Sequence, residues 1–271
     1  MMKMATLFRY TVDHISLAHK LDDNPDPADY RVHTHTKAEL FFFMQGSGIY
    51  HIEGTSYPLE PGDLVIIRPA ESHYIELDQH TPYERCSIHF TMDAFQKLDP
   101  EGHLLKPFLE RRGGRMNLYK SYEFQNGSRI YWDTMLSKVG DRRMNIFSGA
   151  IPLLNEISRI YLTREPDMDD AGITLEYQIV HYVNSVLFSE LKLDDICDKF
   201  FISKSQLFRL FKKTTGTTIW QYVTLKRLAR ARQMLREGEK PTYVYSACGF
   251  NDYSAFYRAY VKRYNHSPNM E

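Results

Sequence analysis

The chain has 271 residues, which is long enough for two domains that each bury a hydrophobic core. Apolar residues make up 43% of it and charged residues 25%, and it has no long unbroken apolar run, so the composition excludes a membrane-spanning helix. The three cysteines lie far apart, and the first residues lack the apolar stretch of a signal peptide. We therefore expect a protein of the reducing cytoplasm.

The formal net charge is zero, but it is unevenly distributed along the chain. Residues 1–170 contain 19 basic and 25 acidic side chains, whereas residues 171–271 contain 15 basic and 9 acidic ones. This asymmetry predicts an acidic domain followed by a domain that contacts a polyanion. Chance variation in composition is the alternative.

Strand signals fill the first 90 residues. The segments are short, aromatic or β-branched, and separated by turns that contain Gly or Pro: ELFFFMQ, GIYHIEG, TSYPL, DLVIIRP and RCSIHF. Closely spaced short strands of this kind favour an antiparallel sandwich or barrel.

From about Asp93 the apolar period changes to three and four residues, which predicts helices over SRIYWDTMLSKV and NIFSGAIPLLNEISRIYLTRE. The acidic segment that follows contains Pro and Gly and is typical of a linker between domains. We place an N-terminal domain at residues 1–165, the linker at 166–172 and an all-helical domain at 173–271.

The helical domain contains an internal repeat with an offset of 49 positions, which aligns SKSQLFRLFK with DYSAFYRAYV. Apolar residues at i, i+3 and i+4 form one stripe in each copy: Leu207, Leu210 and Phe211, then Phe256, Ala259 and Tyr260. Ser203 with Gln206 has the pattern of a capping box, and Asp252 is a suitable N-cap. Because a short helix and a tight turn precede each copy, the sequence predicts two helix-turn-helix units.

A long basic helix is predicted between the two copies. Thr218 and Gln221 form another capping-box pattern, and we expect this helix to end near Glu237. It is roughly 28 Å long at 1.5 Å per residue, so it can hold two recognition helices about one turn of DNA apart. Its basic residues are Lys226, Arg227, Arg230 and Arg232. The alternative is that these residues pair with acids or cover apolar surface with their stems.

Residues 173–268 resemble the DNA-binding domain of the AraC/XylS family of transcription regulators. The resemblance rests on LDDICDKFFISKSQLFRLFKKTTG, KRLARARQML and GFNDYSAFYRAYVKRYNHSP. It implies that the exposed faces of both recognition helices enter successive major grooves of double-stranded DNA. The residues expected there are Lys204, Ser205, Gln206, Phe208, Arg209 and Lys212, then Tyr253, Ser254, Tyr257 and Arg258.

Three positions depart from the family pattern. Phe201 stands in the first turn where the family usually has Gly, Tyr245 replaces a small residue, and Asn265 replaces a late Gly. Asn tolerates the left-handed backbone conformation. Phe201 and Tyr245, in contrast, indicate altered packing within the helix-turn-helix units.

The N-terminal domain resembles a cupin, which is the ligand-sensing domain of many regulators in this family. HTHTKAELFFFMQG fits the first cupin motif, and PGDLVIIRPAESH resembles the second, with Glu71 where Gly is common. Residues two apart share one face of a strand, so His33 and His35 point the same way, and Glu39 joins them if no bulge intervenes. The expected ligand-binding residues are His33, His35, Glu39 and His73.

The same four side chains form a three-His, one-carboxylate set that is typical of Fe, Mn, Ni or Zn, which leaves a metal site open. We expect no metal, no cofactor and no catalysis, because a cupin joined to a double DNA-reading module is expected to sense a ligand. The histidines would then be hydrogen-bonded walls of a pocket. His51 and His89 are weaker candidates, since either fits a strand surface.

The resemblance also implies a homodimer formed by the helices between about Asn126 and Arg164. Their apolar stripe consists of Ile151, Leu154, Ile157, Ile160 and Tyr161. Packing of this stripe on the barrel is the alternative. A dimer would read two copies of its site.

These features predict an α+β protein of two domains, a cupin-like antiparallel β-barrel with following helices and an all-α DNA-binding domain. We expect a transcription regulator that activates nearby metabolic genes in response to a sugar or a similar polar metabolite, with no membrane involved. An activator would also contact RNA polymerase. The alternatives are a metal-dependent cupin enzyme fused to a DNA-binding domain and a regulator whose cupin only dimerises.

Overall fold

The computed structural model describes residues 5–95, 97–164 and 174–271. Antiparallel sheets come first, helices follow them, and an all-helical part begins at Leu175, so the predicted α+β order is confirmed. The predicted linker, 166–172, lies outside the described residues. None of the helices within them has both the length and the apolar composition that a membrane span requires.

The N-terminal part consists of two antiparallel sheets. Their strands are β1 (Ala5–Val12), β2 (Ile15–Asp22), β3 (Ala38–Gln45), β4 (Gly48–Ile52), β5 (Thr55–Leu59), β6 (Leu64–Ile67), β7 (His73–Leu77), β8 (Tyr83–Phe90) and β9 (Leu118–Tyr119). The larger sheet has the order β1-β2-β8-β3-β6-β9, and the smaller one has the order β5-β4-β7. Each strand segment predicted from the sequence forms a strand, and β1, β2, β7 and β9 are additional.

Strand β3 is buried on both faces, which explains its continuous apolar run. On the outer face, Phe42 stacks on Trp132 with ring centroids 5.2 Å apart, in a core that helices cover. On the inner face, Phe41 packs against the smaller sheet in a second core. Other inward-facing side chains line a cavity between the sheets. The larger sheet therefore separates an apolar core from a cavity.

Helices α1 (Lys106–Leu109), α2 (Arg129–Leu136) and α3 (Arg142–Thr163) pack on the outer face of the larger sheet. Three members of the predicted stripe of α3 are buried in that core: Leu154, Ile157 and Ile160. The other two are half-buried: Ile151 and Tyr161. The stripe packs on the barrel, as in the alternative given above, because the apolar face of the sheet needs a cover. A dimer interface on α3 would have to use another face.

The C-terminal part is helical throughout its described residues. Its helices are α4 (Leu175–Ser185), α5 (Leu193–Phe200), α6 (Lys204–Thr215), α7 (Ile219–Arg236), α8 (Pro241–Ala247) and α9 (Tyr253–Tyr264). The pairs α5–α6 and α8–α9 are the two predicted helix-turn-helix units, and α7 connects them. The predicted apolar stripes are buried at their main positions: Leu207, Phe211, Phe256 and Tyr260.

The three predicted cap residues start their helices, but the described contacts include no bond from the Gln206 side chain back to Ser203, so the capping box predicted there is incomplete. Ser203 and Asp252 each accept a hydrogen bond from a backbone amide in the first turn of their helix. At Thr218 the side chain of Gln221 also bonds back to the cap, which completes a capping box. Such caps satisfy backbone amides that have no partner within the helix.

Two departures from the family pattern occupy left-handed helix ends. Phe201 ends α5 at φ +54° and Asn265 ends α9 at φ +60°. Asn adopts this conformation readily, whereas Phe pays about 1–2 kcal/mol for it. The Phe201 side chain is 95% exposed, so this substitution changes the backbone cost and not the packing that we expected it to alter. Tyr245 does pack inside the second unit, with its ring 5.8 Å from that of Tyr253.

Most basic residues of α7 are engaged within the chain, as the alternative had it. Lys226 pairs with Glu53, and Arg232 pairs with Glu271. Arg227 donates to three backbone carbonyls. The long helix therefore offers DNA fewer charges than its sequence indicates.

Candidate functional site

A cavity of about 310 Å³ lies between the two sheets of the N-terminal part, within the size range of small-molecule sites. Its walls are polar, aromatic and charged except for one aliphatic residue, Ile75: Lys20, Asp29, Tyr30, His33, Glu39, Phe41, Tyr50, Ile75, Tyr83, Arg85, Ser87 and His89. Two of the four expected ligand-binding residues, His33 and Glu39, line this cavity. The other two, His35 and His73, adjoin Glu39.

Glu39 is the centre of a cluster of imidazole rings, which we call the Glu39 cluster. Its Oε2 atom lies 2.9 Å from Nε2 of His35, 3.4 Å from Nε2 of His89 and 3.7 Å from Nε2 of His73. His89 is the residue directly opposite Glu39 where β3 pairs with β8. His33 forms a backbone bridge with His73, and their ring centroids are 4.3 Å apart. The structure thus brings the predicted set together and adds His89, one of the weaker candidates.

Backbone carbonyls fix the orientation of three of these rings. Nδ1 of His33, His35 and His73 donates to a carbonyl two positions away, at 3.0, 2.6 and 2.8 Å respectively. Because a carbonyl only accepts, Nδ1 carries the proton and Nε2 of a neutral ring holds the lone pair. In His35, Nε2 also bonds to the Glu39 carboxylate. We therefore assign a doubly protonated ring to His35.

The pKa values agree with this assignment. Burial lowers the pKa of His35, but the hydrogen bond to Glu39 and the charge of Glu39, together with the bond to the Lys37 carbonyl, outweigh burial, and the pKa is raised. Burial raises the pKa of Glu39, yet the charge of His89 and the bond from His35 hold it well below its usual range. Burial, together with the neighbouring histidines, lowers the pKa of His73 well below its usual range, so this ring is neutral. Its buried Nε2 has no hydrogen-bond partner among the described residues.

His35, Glu39 and His89 also fit a metal ion. Their ligand atoms lie within 4.8 Å of one another, and nitrogen with carboxylate donors suits Fe, Mn, Ni or Zn. The Nδ1–H bond of His35 to a carbonyl is the outer contact that commonly orients a metal-bound histidine. The ion pair between His35 and Glu39 equally satisfies the cluster as a pocket wall. The same geometry therefore suits a metal site and a metal-free pocket wall.

The basic wall of the cavity was not predicted. Lys20 on β2 and Arg85 on β8 are direct cross-strand partners, and both line the cavity. The guanidinium carbon of Arg85 lies 4.7 Å from the ring centre of Tyr83 and 5.3 Å from that of Tyr30. Alternation along RCSIHF places Arg85 on the same face as His89. This spacing could have indicated from the sequence that Arg85 faces the cavity.

The turn between β4 and β5 packs against the C-terminal domain. Its two residues, Glu53 and Gly54, have φ of +47° and +92°, as a two-residue hairpin turn of this kind requires. A Cβ atom on Gly54 would lie 3.1 Å from a side chain of α4, so the turn packs tightly on the C-terminal part.

This turn inserts the Glu53 carboxylate between the helices of the C-terminal part. Lys226 Nζ donates to Oε1 at 2.7 Å, and the Tyr222 hydroxyl donates to Oε2 at 2.8 Å. The side-chain amide of Asn184 is a further donor. We call this contact the Glu53 latch.

The Glu53 latch is continuous with the Glu39 cluster through residues 70–73. Lys226 Nζ donates to the carbonyl of Ala70 at 2.7 Å, and the backbone amide of Ser72 donates to the Glu53 carboxylate. The amide of Ala70 donates to the carbonyl of His35 at 2.8 Å. A displacement of His35 by a ligand would therefore move a direct partner of Lys226.

The expected DNA-contacting residues lie mostly on the surface of α6 and α9. Nine of the ten are exposed: Lys204, Ser205, Gln206, Phe208, Arg209, Lys212, Ser254, Tyr257 and Arg258. The tenth, Tyr253, is half-buried, and its ring contacts Phe256 and Tyr245. Its main contribution is to packing. Arg209 and Arg258 occupy matching positions in the two units.

Comparison with known proteins identifies both domains. A model of an AraC-like ligand-binding domain matches residues 21–115, and a model of a helix-turn-helix domain matches residues 196–270. The chain is 23% identical over 236 residues to the Msm operon regulatory protein of Streptococcus mutans serotype c, covering 84% of this chain and 81% of that protein. It is 25% identical over 254 residues to the HTH-type transcriptional activator RhaS of Escherichia coli (strain K12 / DH10B), covering 89% and 87%.

Among solved structures, ToxT from Vibrio cholerae O395 matches at 12% identity with a TM-score of 0.39, covering 95% of this chain and 96% of that one. The two domain matches span more than half of the chain, in the order that the structure shows. The chain therefore belongs to the AraC family of DNA-binding transcription regulators, with an AraC-like ligand-binding domain ahead of its helix-turn-helix domain.

Proposed function

We propose that this regulator binds a small-molecule effector in the cavity between its two sheets and activates nearby metabolic genes, including genes of carbohydrate use, in response. The observation that carries the proposal is the unbroken path from the Glu39 cluster through Ala70 to Lys226 on the helix that joins the two helix-turn-helix units. The two relatives, an operon regulatory protein and a transcriptional activator, support a regulatory role, and the second supports activation.

The coupling follows from differential affinity. An effector shifts the protein between two arrangements only by as much as it prefers one of them. The Glu53 latch fixes one arrangement of the C-terminal helices. A ligand that displaces His35 or His73 would shift the backbone of residues 70–73, and this shift would weaken the hydrogen bonds that hold the latch. Coupling energies of this kind are typically about 1–3 kcal/mol, or roughly 5–150-fold in affinity for DNA.

The protein does not act as an enzyme in this proposal. If a transition-metal ion were bound, His35, Glu39 and His89 would hold it and it would supply Lewis acidity at the cavity wall, but the proposed function includes no metal. The chain belongs to a family of transcription regulators, and an ion pair already engages Glu39 with His35, so neither favours catalysis. The effector-independent alternative, in which the cupin only dimerises, leaves the polar cavity without a role.

The remaining parts of the proposal concern assembly. We propose a cytoplasmic homodimer that reads two copies of its site and contacts RNA polymerase when it activates. Since the apolar stripe of α3 is buried, the side of α3 that carries the exposed residues Met144 and Leu162 is the face of that helix to test first.

The decisive experiment uses the full chain. DNA selected from a random pool should converge on one sequence, and that sequence should occur upstream of neighbouring genes. We expect it to bind at least about a thousandfold more tightly than random DNA. A screen of metabolites by thermal shift then supplies compounds that bind the folded protein. Failure to select any preferred sequence, or an affinity for it that no bound compound alters, would count against an effector-responsive regulator.

A further inference from the structure

Two basic side chains lie next to each other on one wall of the cavity. Lys20 and Arg85 are directly opposite in the antiparallel ladder between β2 and β8, so they project from the same face. Like charges at such positions repel each other and destabilise the sheet. Burial lowers the pKa of Lys20, and the charge of Arg85 lowers it further. The fold therefore keeps two cations together at an energetic penalty.

Two of the three carboxylates near this wall are engaged elsewhere. Asp22 accepts a hydrogen bond from the Tyr30 hydroxyl at 2.7 Å. Glu39 is bound by the histidines of its cluster, and Asp29 is exposed at the edge of the cavity. In the part of the chain that the structure describes, Lys20 forms no ion pair, and Glu39 acts on its charge only at a distance. The charge of Lys20 is therefore available to a ligand.

Arg85 is fixed in place for the same role. Its guanidinium group lies against the rings of Tyr83 and Tyr30, and these rings are buried. A planar guanidinium matches the two oxygen atoms of a carboxylate or a phosphate, and a group that is already ordered loses little entropy when it binds. Arg85 can therefore orient an acidic group, while Lys20 adds a mobile charge beside it.

The other end of the same sheet face, around Glu39 and His89, selects a different part of the ligand. The Glu39 carboxylate lines the cavity there and already accepts a bond from His35, and its remaining lone pairs can accept hydrogen bonds from hydroxyl groups. His89, Ser87 and Tyr50 add further polar groups to this side. A cavity of about 310 Å³ holds a ligand of roughly monosaccharide size. One end of the cavity thus favours an anion, and the other favours hydroxyl groups.

We propose that the effector is a small polyhydroxylated anion, a sugar acid or a sugar phosphate, whose acidic group binds between Lys20 and Arg85 while its hydroxyl groups face Glu39 and His89. This proposal rests on the proposed function, which assigns the effector to the cavity, and it names the chemical class of that effector. A neutral sugar would leave the charge of Lys20 without an ion pair.

The test compares charged and neutral partners of the same sugar. Isothermal titration calorimetry and thermal shift at constant ionic strength would use the full chain with D-glucuronate, D-galacturonate and D-glucose 6-phosphate, each against its neutral parent sugar. Acetate and inorganic phosphate probe the anion position alone and separate carboxylate from phosphate preference. We expect saturable binding of at least one anion and none of the parent sugars.

Lys20→Met removes the charge and keeps most of the stem. We expect it to weaken anion binding about tenfold or more, since bonds to charged groups are the strong ones. We also expect it to raise the midpoint of the ligand-free protein, because it relieves the repulsion with Arg85; a merely structural lysine would lower the midpoint. Lys138→Met, at an exposed position of the same domain, is the matched control. Arg85→Met provides a second variant.

Three results would overturn the inference. Parent sugars that bind as tightly as their acids would show a neutral effector and leave the proposed function intact. Anion binding that is equal in Lys20→Met and in the control would place the anion elsewhere. Absence of saturable binding by any anion, acetate and phosphate included, would refute the anion position, while sequence-specific DNA binding would still support a regulator.

Discussion

The Glu53 carboxylate and the Lys226 ammonium group form an ion pair across the boundary between the two domains, with 2.7 Å between Oε1 and Nζ. The residues are 173 positions apart in the chain. Both side chains are largely buried, at 4% and 12% exposure, so solvent screens the pair weakly. The pair holds the helix between the two DNA-reading units against the ligand-binding domain. Any change in the presentation of those units must break or rearrange it.

Lys226→Met should open this contact. It leaves the Glu53 carboxylate without its cation, and removal of one partner of a buried pair costs roughly 3–5 kcal/mol. We expect faster limited proteolysis within residues 165–172, an acidic segment with Pro and Gly, and DNA binding that depends less on effector. Mass spectrometry of the fragments measures the first effect, and fluorescence anisotropy with operator DNA measures the second.

The control for the latch is Lys240→Met, an exposed lysine of the same domain. Glu53→Gln combined with Lys226→Met completes a double-mutant cycle that isolates the pair from its other neighbours. If Lys226→Met shows the same cleavage rate and the same effector dependence as Lys240→Met, the latch does not govern the domain arrangement.

Arg209→Ala should weaken operator binding roughly 10–100-fold and relax the preference at one position of a half-site. Arg209 is exposed on α6, two residues after the buried anchor Leu207, where an Arg can bond guanine O6 and N7. Arg258 occupies the matching position on α9, and we expect a smaller effect there. Anisotropy titrations with operator and random DNA measure both changes.

The control for base readout is Lys212→Ala on the same helix. Loss of a phosphate contact weakens binding to all sequences alike and reduces the salt slope by about one. If Arg209→Ala behaves in the same way, with equal losses on operator and random DNA, then Arg209 contacts phosphate and reads no base.

Protein purified without added metal should contain far less than one transition-metal ion per chain. The reason is the ion pair between His35 and Glu39, which already occupies the nitrogen and oxygen atoms that would bind a metal ion. Elemental analysis of the full chain checks this. A full equivalent of metal that disappears in His35→Ala, but remains in the His51→Ala control outside the Glu39 cluster, would establish a metal site instead.

Glu71→Gln should destabilise the N-terminal domain at neutral pH. Glu71 and Arg111 form a fully buried ion pair. Burial raises the pKa of Glu71, but the charge and hydrogen bonds of Arg111, together with the Gly114 amide, outweigh burial and hold the pKa at about 2, against an ordinary 4.5. Because the folded-state pKa is the lower one, this stabilisation is complete above about pH 4.5 and is lost as the pH falls towards about 2. Its size is roughly 3 kcal/mol.

Chemical denaturation at several pH values tests this linkage. The difference in unfolding free energy between wild type and Glu71→Gln should be largest at neutral pH and should narrow below about pH 4.5. The exposed Glu110→Gln serves as control and should show little difference at any pH. A difference for Glu71→Gln that stays constant down to pH 3 would contradict the pairing with Arg111.

The sequence determined the helix-turn-helix units in detail, because their signals are local. The caps Ser203, Thr218 and Asp252 act on amides within one turn, and the stripes that contain Leu207 and Phe256 follow the period of a helix. The strand segments of the N-terminal domain were also visible as short runs between turns. In the cavity, the paired histidine motif and Glu39 were identified because their spacing is local as well.

Only the tertiary structure decided which distant residues meet. His89 faces Glu39, and Lys20 faces Arg85, because of the register of β8 against β3 and β2, which no local pattern encodes. The apolar stripe of α3 predicted a buried face without saying whether the barrel or a second chain buries it. From the sequence, Lys226 was one of several basic residues of a long helix. The docking of the two domains makes it the partner of Glu53, and no local pattern could show this because the energy of a charge depends on its surroundings.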